Sequence, residues 1–171
     1  TVIAMDPSRL GAAVGRLVAA GCVTRLVLSR LEKNSPAQRK MMRGELAVEL
    51  NDASTLVERI RAGGLNLGGV LLPTAIARPG MEGHQRVEVG GVGYTLQPAL
   101  RADFALLQAE EADGFFNLGY AADAAEIPQL MALAADRVIA APDSLLDSGA
   151  LPPGRLGTSG LLVDYLVPAT R

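Results

Sequence analysis

The residues of this sequence that could do chemistry are few: three glutamates in one stretch, a single histidine, a single cysteine and a serine flanked by small residues. Glu45, Glu49 and Glu58 lie along "GELAVELNDASTLVERIRAGG" (Gly44–Gly64). Positions four apart on a strand share a face. Glu45 and Glu49 could therefore be the paired carboxylates of an acid–base site, or simply the charges of a solvated strand edge. Glu58, beside Arg59 and Arg61, reads as part of an exposed helix face. His84 stands in a Gly-rich loop without a second ligand or a nucleophile beside it. Cys22 precedes an apolar run and reads as a small buried core residue. A lone cysteine forms no internal bridge, which suits a reducing compartment. No spacing of His, Cys, Asp and Glu fits a metal. "GGVG" (Gly90–Gly93) sits inside a hairpin pattern with no helix behind it, so it lacks the setting of a nucleotide fingerprint. Ser159 in "GTSGLL" lacks the strand–elbow–helix setting of a nucleophilic serine. "AEEADGFF" reads as a solvated acidic loop. No complete site assembles from these residues.

The elements that must position them are those of an α/β chain. A length of 171 residues fits one domain over 1–171, and 49% apolar residues can build its core. A net charge of −2 leaves no footprint for nucleic acid. The longest apolar runs are too short to span a bilayer and no secretory segment opens the chain, so a cytoplasmic domain is expected. "TVIA", a helix capped by Ser8 and stopped by Gly21, and "VTRLVLS" (Val23–Ser29) make a β-α-β unit with a parallel sheet. "SPAQRKMMRG" has Ser35 as cap and Pro36 at the first helical position. "LAVEL" alternates as a half-exposed strand. Thr55 and Glu58 stand at capping-box spacing before a helix that ends at Gly63-Gly64. "GGVLLP" (Gly68–Pro73) and "FALLQA" (Phe104–Ala109) read as strands buried on both faces. "RVEVGGVGYTL" is a hairpin turning at Gly90-Gly91. "IPQLMALAAD" is a helix, "RVIAAP" a short strand, and a last strand lies near Leu161–Val167.

Taken in order from about Asn34 to Val167, these segments resemble the A (alpha) subunit of family I CoA-transferases, of the 3-oxoacid CoA-transferase type. The family's GELEVEL and TLAERIRAGG stand here as "GELAVEL" and "TLVERIRAGG". Its PTG loop is similar to "LLPTA", and its "L.ADFALI.A..AD..GNL.Y" stretch to "LRADFALLQAEEADGFFNLGY". Its PLMAMAA helix resembles "PQLMALAAD", and its closing "TPGI.VD.IV" resembles "TSGLLVDYLV". The resemblance implies a three-layer αβα fold of the sugar-isomerase-like type, with a mostly parallel sheet and an antiparallel hairpin. It implies exchange of CoA between two carboxylic acids, such as succinate and a 3-oxoacid. The implied nucleophile is a glutamate of the B (beta) subunit, which passes through acyl-glutamyl anhydrides to a glutamyl-CoA thioester. No cofactor is implied, the CoA thioester being a substrate. On this reading Glu45, Glu49 and Glu58 are fold residues. The cleft wall on this side would be Gly11, Ser29, Asn34, Pro73 and Thr74.

Asn34 matches the family's GEN turn, and its amide could donate to a developing oxyanion or serve only as a turn residue at the Ser35 cap. The sequence departs from the pattern in several places. Where the family has a loop resembling GGFGxxGxP, this chain has "MDPSRLGAA", in which only Gly11 fits. SNN has become "SRL", leaving Ser29, and a βα segment expected before the GEN turn is absent. PTG has become Pro73-Thr74-Ala75, and the Gly before NLxY is Phe116. A non-catalytic effector-binding or assembly domain of the same fold is the alternative reading.

Overall fold

The computed structural model describes residues 1–5, 11–73, 85–121 and 124–167, with side chains in the first helix described from Val14. The chain divides into two compact units, Thr1–Val57 with Leu72–Thr95, and Glu58–Leu71 with Leu96–Arg171.

In the first unit, β1 (Val2–Ala4), α1 (Gly11–Ala19), β2 (Arg25–Leu28), α2 (Pro36–Met42) and β3 (Ala47–Leu50) alternate as expected. The strands form a parallel sheet in the order β1-β2-β3, with Val2 opposite Leu26 and Leu26 opposite Val48. Its core gathers Ala4, Val14, Val18, Val23, Leu26, Leu28 and Leu46. The Ser8 cap lies outside the described residues. At α1's other end Gly21, at φ 76, is the left-handed stop: its N–H donates to Val18 O at 3.1 Å, and that of Cys22 to Leu17 O at 3.0 Å. This reversal turns Cys22 outward, so the expected buried cysteine is exposed and Val23 takes the core position. Helix α2 ends by the same device at Gly44, φ 73. Its start is as expected, with Gln38 N donating to Ser35 Oγ at 3.1 Å and Pro36 first in the helix.

Helix α3 (Ala53–Gly64) differs from expectation at both ends. Its cap is Asp52 rather than Thr55: Asp52 Oδ1 accepts from Thr55 N at 2.9 Å and Oδ2 accepts from Thr55 Oγ1 at 2.6 Å. A carboxylate at that position also meets the positive end of the helix dipole. The stop is Asn66, φ 57, with Leu67 N bonded to Ala62 O at 2.8 Å. Gly63 and Gly64 lie inside the last turn for a packing reason, since a Cβ on Gly63 would fall 1.9 Å from Leu100 O.

Strands β4 (Gly69–Pro73), β5 (Arg86–Val89) and β6 (Val92–Pro98) form a sheet in the order β4-β6-β5. The hairpin turns at Gly90 (φ 59) and Gly91 (φ 77), the pair of positive angles that a two-residue type I′ turn requires. β4 is half-exposed rather than buried on both faces, with Leu71 37% accessible.

The second unit holds β7 (Ala102–Ala112), β8 (Leu118–Gly119), α4 (Glu126–Leu133), β9 (Ala135–Leu145), β10 (Leu156–Thr158) and β11 (Tyr165–Leu166), in sheet order β10-β8-β7-β9-β11. β7 and β9 run parallel from the Ala102–Ala135 pair to the Ala112–Leu145 pair. β7 alternates instead of being buried on both faces: Ala105, Leu107 and Ala109 point into the core, while Phe104 and Leu106 are exposed. β9 runs through Pro142, where the sequence reading ended it. Its residues 138 and 140 turn their polar groups toward Asp164 and β11 (Val138 N to Asp164 Oδ2, Val167 N to Ala140 O). Pro142, two residues on, turns its missing N–H the same way, past the end of β11, where no ladder bond is lost. The last strand is shorter than expected because a 3₁₀ turn, Gly160–Leu162, precedes it, with Ser159 Oγ accepting from Leu161 N at 3.3 Å.

The corrected cap has a measurable consequence. Asp52→Ala is expected to lower stability by about 1 kcal/mol in urea unfolding, whereas Glu58→Gln, which removes only an exposed ion pair, changes it by about 0.5 kcal/mol or less.

Candidate functional site

In an open parallel sheet, ligands meet the loops beyond the carboxyl ends of the strands. In the first unit those ends are Met5, Ser29 and Asn51. Ser29 N donates to Met5 O at 3.4 Å and its hydroxyl donates to the same carbonyl, while Asn51 N donates to Leu28 O at 3.0 Å. Ser29 thus ties β2 to β1, and its hydroxyl proton is engaged in that bond. The loop then runs to Asn34, which is left-handed at φ 59, a conformation asparagine tolerates better than most residues. Both backbone groups of Asn34 are held by α2: its N–H donates to Gln38 Oε1 at 2.6 Å and its carbonyl accepts from the Arg39 guanidinium. Ser35, not Asn34, caps the helix. The Asn34 amide is left exposed and unpaired among the described residues, so the turn is built without the group that could donate to a substrate.

The other expected site residues are placed separately. Gly11 is the first residue of α1, and residues 6–10 before it lie outside the described residues. Pro73 closes β4 and is exposed, while Thr74 and His84 lie outside the described residues. A recess of about 80 Å³ lies against the Asn34 loop, lined by Val14, Val18, Leu26, Leu31, Pro36 and Ala37 with Glu32 and Ser35 at its polar side. Ligand pockets are several times larger, at roughly 300–1,000 Å³, so this recess does not hold a CoA thioester. No group of three His, Cys, Asp or Glu among the described residues could hold a metal.

The glutamates are engaged in ion pairs. Glu45 lies before β3 and pairs with Arg43 at 2.9 Å, Glu49 pairs with Arg25 at 2.6 Å, and Glu58 with Arg61 at 3.2 Å. Each carboxylate faces an arginine at the surface, and Arg61 is shared between Glu58 and Glu126.

The acidic loop, by contrast, is not simply solvated. Asp113 is 1% exposed and accepts from Phe115 N (2.9 Å), Asn117 N (3.0 Å) and Asn117 Nδ2 (3.1 Å). Burial works against its charge, but the bonds from the Asn117 side chain and from the Asn117, Phe115 and Gly149 backbone outweigh it. Together they hold the carboxyl below the ordinary carboxylate range. Asn117 Oδ1 in turn accepts from Gly160 N at 3.0 Å, joining this turn to the segment after β10. The spacing D-x-x-x-N was the available signal, an Asx-type carboxylate two and four residues before its donors. Because the folded pKa is depressed, this stabilisation is present above the unfolded value and is lost as pH falls below it. Melting temperature should therefore drop as pH falls below about 4, and Asp113→Asn should flatten that limb at the cost of about 1–3 kcal/mol at neutral pH.

The profile of the family described as Coenzyme A transferase matches residues 6–169. The chain belongs to the coenzyme A transferase family. It is 36% identical over 167 residues to the "Acetate CoA-transferase subunit alpha" of Escherichia coli (strain K12), covering 98% of this chain and 76% of that protein. It is 34% identical over 167 residues to the "Acetoacetyl-CoA:acetate/butyrate CoA transferase alpha subunit" of Clostridium acetobutylicum, covering 98% and 77%. Among solved structures it is similar to a variant of the decarboxylase AibA/AibB at 32% identity and TM-score 0.75, covering 91% of this chain and 62% of that one. The chain thus spans about three quarters of the length of these curated relatives and less than two thirds of that solved chain. An alignment of 167 residues that takes in 98% of this chain leaves no room for a segment lost before the Asn34 turn. The expected internal deletion is therefore not a feature of this CoA-transferase-family chain.

Among the described residues, no helix is long and apolar enough to cross a membrane.

Proposed function

We propose that this chain is the A (alpha) subunit of a heteromeric CoA-transferase that moves CoA between an acyl-CoA, of the 3-oxoacyl-CoA or succinyl-CoA type, and a carboxylic acid. A B (beta) subunit supplies the nucleophilic glutamate, and no cofactor beyond the CoA thioester, itself a substrate, takes part. The work is cytoplasmic. The observation that carries this reading is the match over nearly the whole chain to proteins named as alpha subunits of such enzymes. The engagement of Glu45, Glu49 and Glu58 with arginines supports a nucleophile on another chain.

On this reading the loop from Ser29 to Asn34, with Gly11, Pro73 and Thr74, lines the alpha side of the cleft. Asn34 presents its amide to the oxyanion of the tetrahedral intermediate, pre-oriented by a turn that does not use it. A second reading is favoured by one observation: a solved structure titled as a decarboxylase shares 32% identity with this chain, close to the transferase relatives. The alpha chain could thus serve a complex that removes CO₂ from an acyl-CoA.

The deciding experiment is co-expression with a β-type chain, sought first among the genes beside this one. The pair is expected to exchange CoA between acids and to accumulate a hydroxylamine-sensitive CoA adduct on the β chain. Release of CO₂ without exchange would select the decarboxylase. Failure of the chains to associate, with no acyl-CoA retained, would favour a non-catalytic effector-binding or assembly domain.

Asn34→Gly keeps the left-handed turn and removes only the amide. In the active pair it should lower kcat by about 10²-fold with assembly intact. Unchanged turnover would leave Asn34 as a turn residue.

A further inference from the structure

The turn organised by Asp113 carries a feature that the fold of this chain does not use. Phe116 has φ 67, a left-handed conformation that is an outlier for a bulky residue and that glycine would adopt without strain. A phenylalanine nonetheless occupies it, 36% exposed, beside Phe115 at 65% and Leu161 at 98%. The backbone that carries these side chains is closely held. Phe116 N donates to Asp113 O at 2.9 Å, and the N–H groups on either side of it donate to the buried Asp113 carboxylate. Gly160 lies so close that a Cβ there would fall 1.9 Å from Phe115 O, and its N–H is held by Asn117 at 3.0 Å. The backbone that carries two exposed aromatic rings and, next to Gly160, an exposed leucine is therefore held around a buried charge, at the cost of strain at Phe116.

We infer that this turn is a preformed aromatic anchor that docks on the β subunit; the inference rests on the alpha-subunit reading above. Strain at an exposed residue that the surrounding structure over-determines points to a use outside the fold. The three side chains expose on the order of 350 Å² of apolar surface, nearly half of the roughly 800 Å² that each partner of a standard interface buries. Aromatic anchors of this kind dominate binding energy, and holding them in place beforehand reduces the entropy lost on association. The β chain is the occupant because the relatives matched along nearly the whole of this chain are named as alpha subunits, a name that implies a partner subunit.

The test is the affinity of the full chain for the co-expressed β-type chain, measured by titration for the parent, Phe116→Gly, Leu161→Ser and Val89→Ser, the last an exposed apolar residue of the hairpin. Phe116→Gly relieves the strain, so the variant should fold with an equal or higher Tm while binding at least tenfold more weakly. Leu161→Ser should also weaken binding, and Val89→Ser should not. Parent-like affinity of Phe116→Gly and Leu161→Ser overturns the anchor while leaving the alpha-subunit reading intact. A parent chain that does not bind the β chain at all overturns both. Self-association of the isolated chain that is lost in Phe116→Gly assigns the surface to a second copy and overturns the β-subunit assignment.

Discussion

Parallel strands cannot be joined by a tight turn, and most of this structure depends on that constraint. Each strand must be followed by a segment that carries the chain back and then stops, so that the next strand starts at the same end. Three helices here stop in the same way. Gly21, Gly44 and Asn66 each take a left-handed conformation and return two N–H groups to the last carbonyls of α1, α2 and α3. The consequences run outward from these stops. The one after α1 exposes Cys22 and seats Val23 in the core, and the one after α2 sets Leu46 in the core and Glu45 beside Arg43. Removing a stop would shift the phase of the following strand, and a shift of one residue exchanges its two faces.

The fold was legible in the sequence wherever a local signal has one physical meaning. Proline after serine, glycine after a helical run and a Gly-Gly pair between alternating residues each specified backbone geometry, and α2, the stop at Gly21 and the hairpin appear where they point. Signals that depend on tertiary neighbours were read less well. The apolar runs of β4 and β7 suggested burial on both faces, yet run length cannot tell two apolar faces from one apolar face that will be covered and one that is not. Thr55 looked like the cap of α3 because a hydroxyl before an apolar run fits, but the neighbouring Asp52 offers a full charge and two oxygens. Pro142 was expected to end a strand, and only the register beside β11 shows why it does not.

The candidate site was legible in part. Asn34 stood out by resemblance, and its left-handed turn at the carboxyl side of β2 is a physical reason for an asparagine that also leaves the amide unused. Ser29 proved to be a tie between strands, since its hydroxyl points back to Met5. Asp113 escaped the sequence reading because acids in a loop beside glycine are normally solvated. What withdraws this one from water is the closing of its own turn, a geometry that composition does not encode.

A subunit of this kind has its chemistry limited by charge. A carboxylate acting as a nucleophile must be free to leave its resting contacts and attack, and a guanidinium at contact distance limits that freedom. Glu45, just before β3, and Glu49, on β3, are held in that way, at 2.9 and 2.6 Å. Their arginines stabilise the surface of the sheet and make poor companions for a reacting carboxylate. A chain whose candidate glutamates are engaged in this way can orient a substrate, donate a hydrogen bond or present a wall, and each of these serves more than one reaction. That is consistent with relatives of similar identity carrying both transferase and decarboxylase names. On the function proposed above, the reaction class follows from the reactive group brought by the second chain, and this chain contributes the geometry in which that group acts.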